Sequence, residues 1–158
     1  MKTIIEFKKI LIAVDASEYS QKAAKYGMQL ALKLDAEVAL IHVNEFLMVA
    51  NIAGDPMMGD QMIVLPELAT IQKDSVNHLL AQLIADFGTG ITVSQMIKTG
   101  DIKDEILETA KTWQADIIVM GTHGRTGLDH FLLGSMAESI TRHAQCPVFI
   151  VPNTNYEN

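Results

Sequence analysis

Four small residues in the second half of the chain have the types and the spacing to bind a phosphate group. Gly121, Gly124, Gly134 and Ser135 form the pattern Gly-x2-Gly-x9-Gly-Ser. Glycine has no side chain, so its backbone N–H groups can approach an anion closely. A helix beginning after Gly134 would add unpaired N–H groups and the positive end of its dipole. The motif predicts an anion site, although the same glycines could serve only to turn the chain.

Apolar runs on either side of this motif are typical of buried strands. Ile117 to Met120 precedes the motif and Val148 to Val151 follows it, and turn residues bound both runs. Runs of this kind suit a parallel sheet that is covered on both faces. Ser135, at the start of the intervening helix, can cap that helix or donate a hydrogen bond to a phosphate oxygen.

A further strand is predicted at Phe7 to Val14, which is apolar throughout its second half and is followed by an acidic residue, Asp15. A carboxylate at the carboxyl tip of a parallel strand lies at the crevice where doubly wound sheets bind ligands. There it can accept hydrogen bonds from a ribose hydroxyl or from an adenine amino group. Asp15 or Ser17 could instead cap the following helix, and both roles can hold together.

The rest of the chain alternates between helical and strand patterns. Apolar residues at helical spacing predict helices over 20–34, 66–87, 102–113 and 135–143. Asp101 is the expected N-cap of the third helix. Strands are predicted at 37–43 and at 92–98, the second as an edge strand. The methionine-rich stretch 44–65 predicts a long irregular connection, which could be a lid or partner surface, or could pack on the sheet or across a dimer.

Length, composition and charge limit the classes of function. The 158 residues, 49% of them hydrophobic, predict one domain over 1–158, and the net charge of −7 argues against a nucleic-acid partner. No apolar run approaches the roughly 20 residues that span a bilayer, and none has the form of a secretory signal. The single cysteine suits a reducing cytoplasm, where we expect the protein.

Two reactive residue types are interpreted as structural. His42 lies within an apolar strand run, and a histidine there is more often a hydrogen-bonded structural group than a catalytic imidazole. Cys146 precedes Pro147 at the entrance to the last strand. A packed, inert thiol is therefore expected at this position.

The run VMGTHGRTGLDHFLLGSMAESITRHAQCPVFIVP resembles the C-terminal signature of the universal stress protein family at nearly every position. The segments ILIAVDAS and TGDIKDEIL match the same family in the right order, so the resemblance covers essentially the whole chain. It implies a Rossmann-like α/β domain with a five-stranded parallel sheet in the order 3-2-1-4-5, flanked by four helices. It also implies a homodimer through the C-terminal edge strand.

Family members that keep this glycine spacing typically bind ATP. The resemblance implies adenine against Val43 and Met120, and phosphates on the N–H groups of Gly124, Gly134, Ser135 and Met136. The full set of expected nucleotide contacts is Ala13, Val14, Asp15, Val43, Met120, Gly121, His123, Gly124, Arg125, Gly134, Ser135 and Met136. No Walker-type lysine is present, so Mg²⁺ bound through the phosphates would supply positive charge. Asp129 departs from the basic residue common in the family, which suggests weaker triphosphate binding.

Three functions are compatible with these features. The first is an ATP- or other adenine-nucleotide-binding stress or signalling protein, with occupancy as its regulatory state. The alternatives are a slow Mg-dependent ATPase and a nucleotide-free dimeric interaction module. His123 and His130 are candidate bases, but phosphoryl transfer needs positioned groups that cannot be assembled from this sequence. We therefore assign no catalytic residue and no metal-ligating residue, and expect at most weak ATPase activity.

Overall fold

Strands and helices alternate along the chain, as predicted. The computed structural model describes residues 6–45, 66–122 and 133–152, with the backbone alone at 66–69. Its elements, in chain order, are β1 (Lys9–Ala13), α1 (Glu18–Leu34), β2 (Glu37–Asn44), α2 (Pro66–Phe87), β3 (Val93–Thr99), α3 (Ile102–Trp113), β4 (Ile117–Gly121), α4 (Ser135–His143) and β5 (Val148–Val151). Most of the methionine-rich stretch predicted as irregular lies outside the described residues.

The five strands form one parallel sheet in the order β3-β2-β1-β4-β5. This order, which the family resemblance implied, is confirmed, as is the edge position of β3. Ile12 in β1 lies opposite Leu40 of β2 and Val119 of β4. The strands β2 and β3 are therefore added on one side of β1, and β4 and β5 are added on its other side. The strand order reverses between β1 and β4.

Each face of the sheet has its own apolar core because side chains alternate along every strand. Residues such as Ile12, Leu40 and Val119 pack against α1 and α2 on one face. Leu11, Ile41 and Ile118 pack against α3 and α4 on the other face. This arrangement is the doubly wound architecture, with both sheet faces covered.

Strand β5 was predicted to be buried, and this part of the prediction is wrong for the single chain. Phe149 is 43% exposed, and Val151 alone among the four residues is buried. The strand lies at the edge of the sheet, where β4 is its only partner within the described chain. Its sequence is apolar enough for burial, but its outer edge has no covering element among these residues.

Asp116 joins the beginnings of β1 and β4, a contact that the sequence analysis did not foresee. Its Oδ2 accepts hydrogen bonds from the backbone N–H groups of Lys8 and Lys9, both at 2.8 Å. Its own N–H donates to the carbonyl of Lys9 at 2.9 Å. The three bonds fasten the central strand pair at the amino edge of the sheet.

Replacing Asp116 by alanine should therefore destabilise the fold. Loss of two charge-assisted hydrogen bonds from a half-buried carboxylate predicts about 2 kcal/mol. For a domain of this size, that corresponds to a fall in Tm of roughly 4–8 °C. Thermal unfolding followed by circular dichroism measures the change. Glu108→Ala, on the exposed side of α3, is the matched control, and equal melting of the two variants would contradict the role given to Asp116.

Candidate functional site

The reversal between β1 and β4 creates a crevice at the carboxyl edge of the sheet. From β1 the chain passes to α1 on one face, and after β4 it leads to α4 on the other face. Loops that leave neighbouring strands in opposite directions leave a gap between them, and open α/β sheets bind ligands in this gap. Asp15 follows β1 and Gly121 ends β4, so the structure brings both predicted residues to this edge.

One wall of the crevice is apolar. Ala13, Val43, Met120 and Met136 all belong to the core between the sheet and helices α3 and α4. Ala13 and Met120 are buried, whereas Val43 and Met136 are half-buried. Four of the predicted contact residues therefore lie on one face of the sheet near its carboxyl edge. This wall offers a flat aromatic ring an apolar surface.

Val14 does not belong to this wall. Its side chain packs in the opposite core, against α1 and α2. Its N–H donates to the carbonyl of Ile41 at 2.9 Å, and its carbonyl lies 2.9 Å from Nδ1 of His42. Because a carbonyl only accepts, Nδ1 carries a proton and donates. His42 is buried, which confirms its interpretation as a hydrogen-bonded structural group.

Asp15 is held by the beginning of helix α1. Its Oδ1 accepts from the N–H of Ser17 at 2.8 Å, and also from the hydroxyls of Ser17 and Ser20. Ser17 is the N-cap of α1 and accepts from the N–H of Ser20. The local capping role is therefore present. No donor within the described residues reaches Oδ2, so half of the carboxylate remains available as an acceptor.

The first turn of α4 supplies backbone donors. Gly134 is its N-cap with φ −59° and ψ 149°, and no side chain caps the helix. Glu138 is the first residue whose N–H bonds within the helix, to the carbonyl of Gly134. In the described part of the chain, the N–H groups of Ser135, Met136 and Ala137 have no partner. They are the anion donors expected at a helix start.

The N–H of Gly134 is already engaged. It donates to the carbonyl of Thr122 at 2.9 Å, while the N–H of Thr122 donates to Val151 at 3.2 Å. These two bonds tie the beginning of α4 to the ends of β4 and β5. The predicted phosphate contact of the Gly134 N–H stays a prediction, and it requires exchange of the bond to Thr122.

Gly121 is required by packing inside the protein. A Cβ atom at this position would lie 2.9 Å from Cβ of Tyr19 and 3.1 Å from its carbonyl oxygen. Helix α1 therefore approaches the end of β4 more closely than any other residue type would permit. The glycine pattern alone indicates access for a phosphate or a turn of the chain, and it does not predict this contact.

A further acceptor lies at the tip of β2. Oδ1 of Asn44 is buried and has no hydrogen-bond partner in the part of the chain that the structure describes, while its backbone carbonyl accepts from the N–H of Gly100 at 3.0 Å. A buried acceptor without a donor costs about 1–3 kcal/mol. Sequence reasoning did not single out Asn44, because an asparagine at a strand end reads as an ordinary turn residue.

The comparisons with known proteins agree with this architecture. The family model described as "Universal stress protein family" matches residues 6–152. The chain belongs to the universal stress protein family. It is 35% identical over 151 residues to the universal stress protein MJ0531 of Methanocaldococcus jannaschii, and the match covers 96% of this chain and 85% of that protein.

Solved structures share the fold. The structure of protein MJ0577, described as a structure-based assignment of biochemical function, superposes with a TM-score of 0.76 at 26% identity and covers 96% of this chain and 99% of that one. The universal stress protein from Archaeoglobus fulgidus in complex with dAMP gives a TM-score of 0.61 at 17% identity, over 92% of this chain and 98% of that one. At that identity the second likeness shows the fold alone.

Part of the predicted site lies outside the described residues. This holds for the contact residues His123, Gly124 and Arg125, and for Asp129 and His130. Within the described ranges of this universal stress protein, no group of three or more His, Cys, Asp or Glu side chains could hold a metal ion. None of the helices in those ranges combines the length and apolar character needed to cross a bilayer.

A cleft among the described residues lies away from this crevice. It has a volume of about 310 Å³ and is formed by the C-terminal halves of α3 and α4, with Glu108, Lys111, His143 and Cys146 among its lining residues. Helix C-termini lie at the amino edge of the sheet, so this cleft is at the opposite end from Asp15. The polar groups suited to an anion converge at the carboxyl edge instead.

Cys146 is half-buried in the wall of this cleft. Burial raises the pKa of its thiol above the ordinary value, and the negative charge of Asp116 raises it further, against a smaller opposing effect of backbone hydrogen bonds. Since the thiolate is the nucleophile, a raised pKa disfavours reactivity. This direction agrees with the packed thiol expected from the sequence.

Gly121→Ala should destabilise the fold even without any ligand. The added methyl group meets the backbone of Tyr19, which can yield only if α1 shifts, and overpacking of this kind costs about 1–3 kcal/mol. Chemical denaturation of the ligand-free protein measures the loss. Gly90→Ala is not a suitable control because Gly90 has φ 80°, whereas Ser139→Ala on α4 leaves the strand ends unchanged. Unaltered stability of Gly121→Ala would refute the packing role.

Cys146 should react with iodoacetamide more slowly in the folded protein than in the denatured protein at the same pH. The raised pKa reduces the thiolate fraction in the folded state. By linkage, the unfolded chain loses the thiol proton first as pH rises, so this group's contribution to stability is present below the unfolded pKa and lost as pH rises through the folded pKa. Mass spectrometry of the alkylated chain follows the rate between pH 7 and 10. Faster labelling of the folded protein would contradict the assignment.

Proposed function

We propose that this universal stress protein binds an adenine nucleotide in the crevice between β1 and β4, and that occupancy of the crevice is its regulatory state. The observation that carries the proposal is the convergence of three chemically different groups at one edge of the sheet. These are the apolar wall around Met120, the Asp15 carboxylate and the amides at the start of α4 that have no partner in the described ranges. Together they match a base, a sugar or amino donor, and an anion.

A bound nucleotide fits this arrangement in one direction. The adenine lies against Val43 and Met120, Asp15 receives a donor of the adenosine end, and the N–H groups of Ser135 and Met136 meet the phosphates. His123, Gly124 and Arg125 are further proposed contacts. Mg²⁺, when bound through the phosphates, supplies positive charge in place of the Walker-type lysine that the sequence lacks. We expect this set of contacts to give a micromolar Kd, which corresponds to a binding free energy of about 8 kcal/mol.

A fold neighbour supports the ligand class. The Archaeoglobus fulgidus protein was solved in complex with dAMP, and the resemblance of the glycine motif to ATP-binding members points the same way. ATP is the nucleotide we propose first, with ADP and AMP as the other adenine ligands. The intact motif favours this function over an interaction module without nucleotide.

The proposal includes a homodimer through β5. Phe149 is 43% exposed on a four-residue apolar strand, and an exposed apolar edge of this kind is an aggregation hazard unless it is paired. Pairing with its symmetry mate would satisfy the free backbone groups and cover Phe149 at once. We place the protein in the cytoplasm, with neither nucleic acid nor membrane as a partner, on the basis of its acidic charge and single cysteine.

Gly134→Val should abolish nucleotide binding and leave the fold intact. The backbone at Gly134 has φ −59°, a value any residue adopts, so valine is compatible with the chain while its branched side chain occupies the entrance to the helix. Isothermal titration calorimetry with Mg-ATP, Mg-ADP and AMP compares this variant with the native protein. Thr141→Val, at the exposed far end of α4, is the matched control.

Two results would overturn the proposal. One is the absence of binding by the native protein at millimolar nucleotide, which would favour the interaction module. The other is undiminished binding by a folded Gly134→Val variant. Steady-state ATP hydrolysis tests the slow ATPase. Turnover that persists in Gly134→Val would come from a contaminant, because the same crevice would have to hold the substrate.

A further inference from the structure

The hydroxyl of Ser20 connects two different parts of Asp15. It accepts a hydrogen bond from the backbone N–H of Asp15 at 2.7 Å, and it donates to Oδ1 of the same residue at 2.7 Å. One hydroxyl thus fixes both the main chain and the carboxylate. Ser20 is buried, with 5% of its surface exposed, so water does not compete for these bonds.

This contact differs from ordinary helix capping. Ser17 is the N-cap of α1 and Ser20 occupies the third helical position. In a capping box, the side chain at that position reaches back to the N–H of the N-cap residue. Ser20 reaches further, to the N–H of Asp15, two residues before the N-cap. Its hydroxyl is therefore committed to Asp15, and Ser17 performs the capping.

The consequence is a carboxylate with two unequal oxygens. Oδ1 receives the N–H of Ser17 and the hydroxyls of Ser17 and Ser20. Oδ2 receives no hydrogen bond from any residue that the structure describes. Rotation of the carboxylate would break up to three bonds, so Oδ2 is held in one direction before a ligand arrives. A fixed acceptor loses less conformational entropy on binding than a mobile one.

We propose that Ser20 is a positioning residue for the nucleotide, which orients Asp15 so that Oδ2 accepts a hydrogen bond from the adenosine part of the ligand. This inference rests on the proposed function and names one of its specificity determinants. Because Oδ2 only accepts, the ligand must present a donor there, either a ribose hydroxyl or the exocyclic amino group of adenine. Ser20 acts through Asp15 and does not itself contact the ligand.

The test is a double-mutant cycle with Ser20→Ala and Asp15→Ala, measured by titration calorimetry. The ligands are Mg-ATP, its 2′-deoxy and 3′-deoxy analogues, and purine riboside triphosphate, which lacks the amino group. We expect Ser20→Ala to weaken Mg-ATP about tenfold, the usual scale of one hydrogen bond to a charged group. In the Asp15→Ala background, Ser20→Ala should have no further effect. One of these analogues lacks the ligand group that donates to Asp15. That analogue should bind the Ser20→Ala variant and the native protein with equal affinity.

Two controls separate positioning from loss of stability. Asp116→Ala is destabilised at the opposite edge of the sheet, and its affinity for Mg-ATP should equal that of the native protein. Ser20→Cys keeps the side-chain volume but hydrogen bonds weakly, so it replaces Ser20→Ala in the cycle if the alanine variant does not fold. Either variant should show the same dependence on the ligand analogue.

The outcomes distinguish the two levels of the proposal. If the native protein binds no nucleotide, the proposed function and this inference both fail. If it binds and Asp15→Ala weakens binding but Ser20→Ala does not, the positioning role is overturned and the function stands. The positioning role would also be overturned if Ser20→Ala weakened the binding of every analogue equally and if this loss added to that of Asp15→Ala. Such a result would show a general structural effect of the substitution.

Discussion

The pairing of β1 with both β2 and β4 is the constraint on which the candidate site depends. The chain passes from β1 to α1 on one face of the sheet, and after β4 it leads to α4 on the other face. Without this reversal, Asp15 and the beginning of α4 would lie on separate parts of the surface. The bonds of Asp116 to Lys8 and Lys9 fasten the same strand pair at the far edge. The site at one end of the sheet is thus held by contacts along the whole length of two strands.

Some backbone groups near the crevice form hydrogen bonds within the protein, and others are positioned to face a ligand. The N–H of Gly134 donates to Thr122, and Thr122 donates to Val151. These bonds fix the start of α4 at the crevice edge, where the next three amides have no partner among the described residues. Asp15 shows the same division within one side chain, since Oδ1 is bound internally and Oδ2 receives no hydrogen bond from the described residues. Preorganisation at this site therefore comes from using part of each group to fix the direction of the rest.

Hydrophobic periodicity predicted the elements well because long apolar patterns leave little choice of secondary structure. The helix over 66–87 and the cap at Asp101 are confirmed with the predicted limits. The strand order came from the family resemblance, since periodicity contains no information about which strands are neighbours. Ala13, Val43 and Met120 share one face of the sheet in the structure, as the strand period requires. The same period places the Val14 side chain on the opposite face, and the nucleotide contact expected of Val14 stays a prediction.

What the sequence could not predict depends on close approach in three dimensions. The clash that a Cβ of Gly121 would make with Tyr19 involves residues about one hundred positions apart, and glycine patterns do not distinguish such packing from ligand access. The same is true of the bonds between Asp116 and the start of β1. The internal hydroxyl bridge of Ser20 was missed for a different reason. A serine near a helix start has several local partners available, and only the structure shows which one it takes.

The two edges of the sheet differ in a way that bears on assembly. Edge strand β3 places Gln95, Lys98 and Thr99 in solvent, and polar or charged residues of this kind protect an edge against pairing. Edge strand β5 contains no polar side chain, and Phe149 is exposed. The chain thus protects one edge of its sheet against pairing and leaves the other edge apolar. This asymmetry favours a closed dimer over an open-ended assembly of paired sheets. Because Val151 of β5 also accepts from Thr122, next to the crevice, a second copy at this edge would lie one hydrogen bond away from the elements that orient α4.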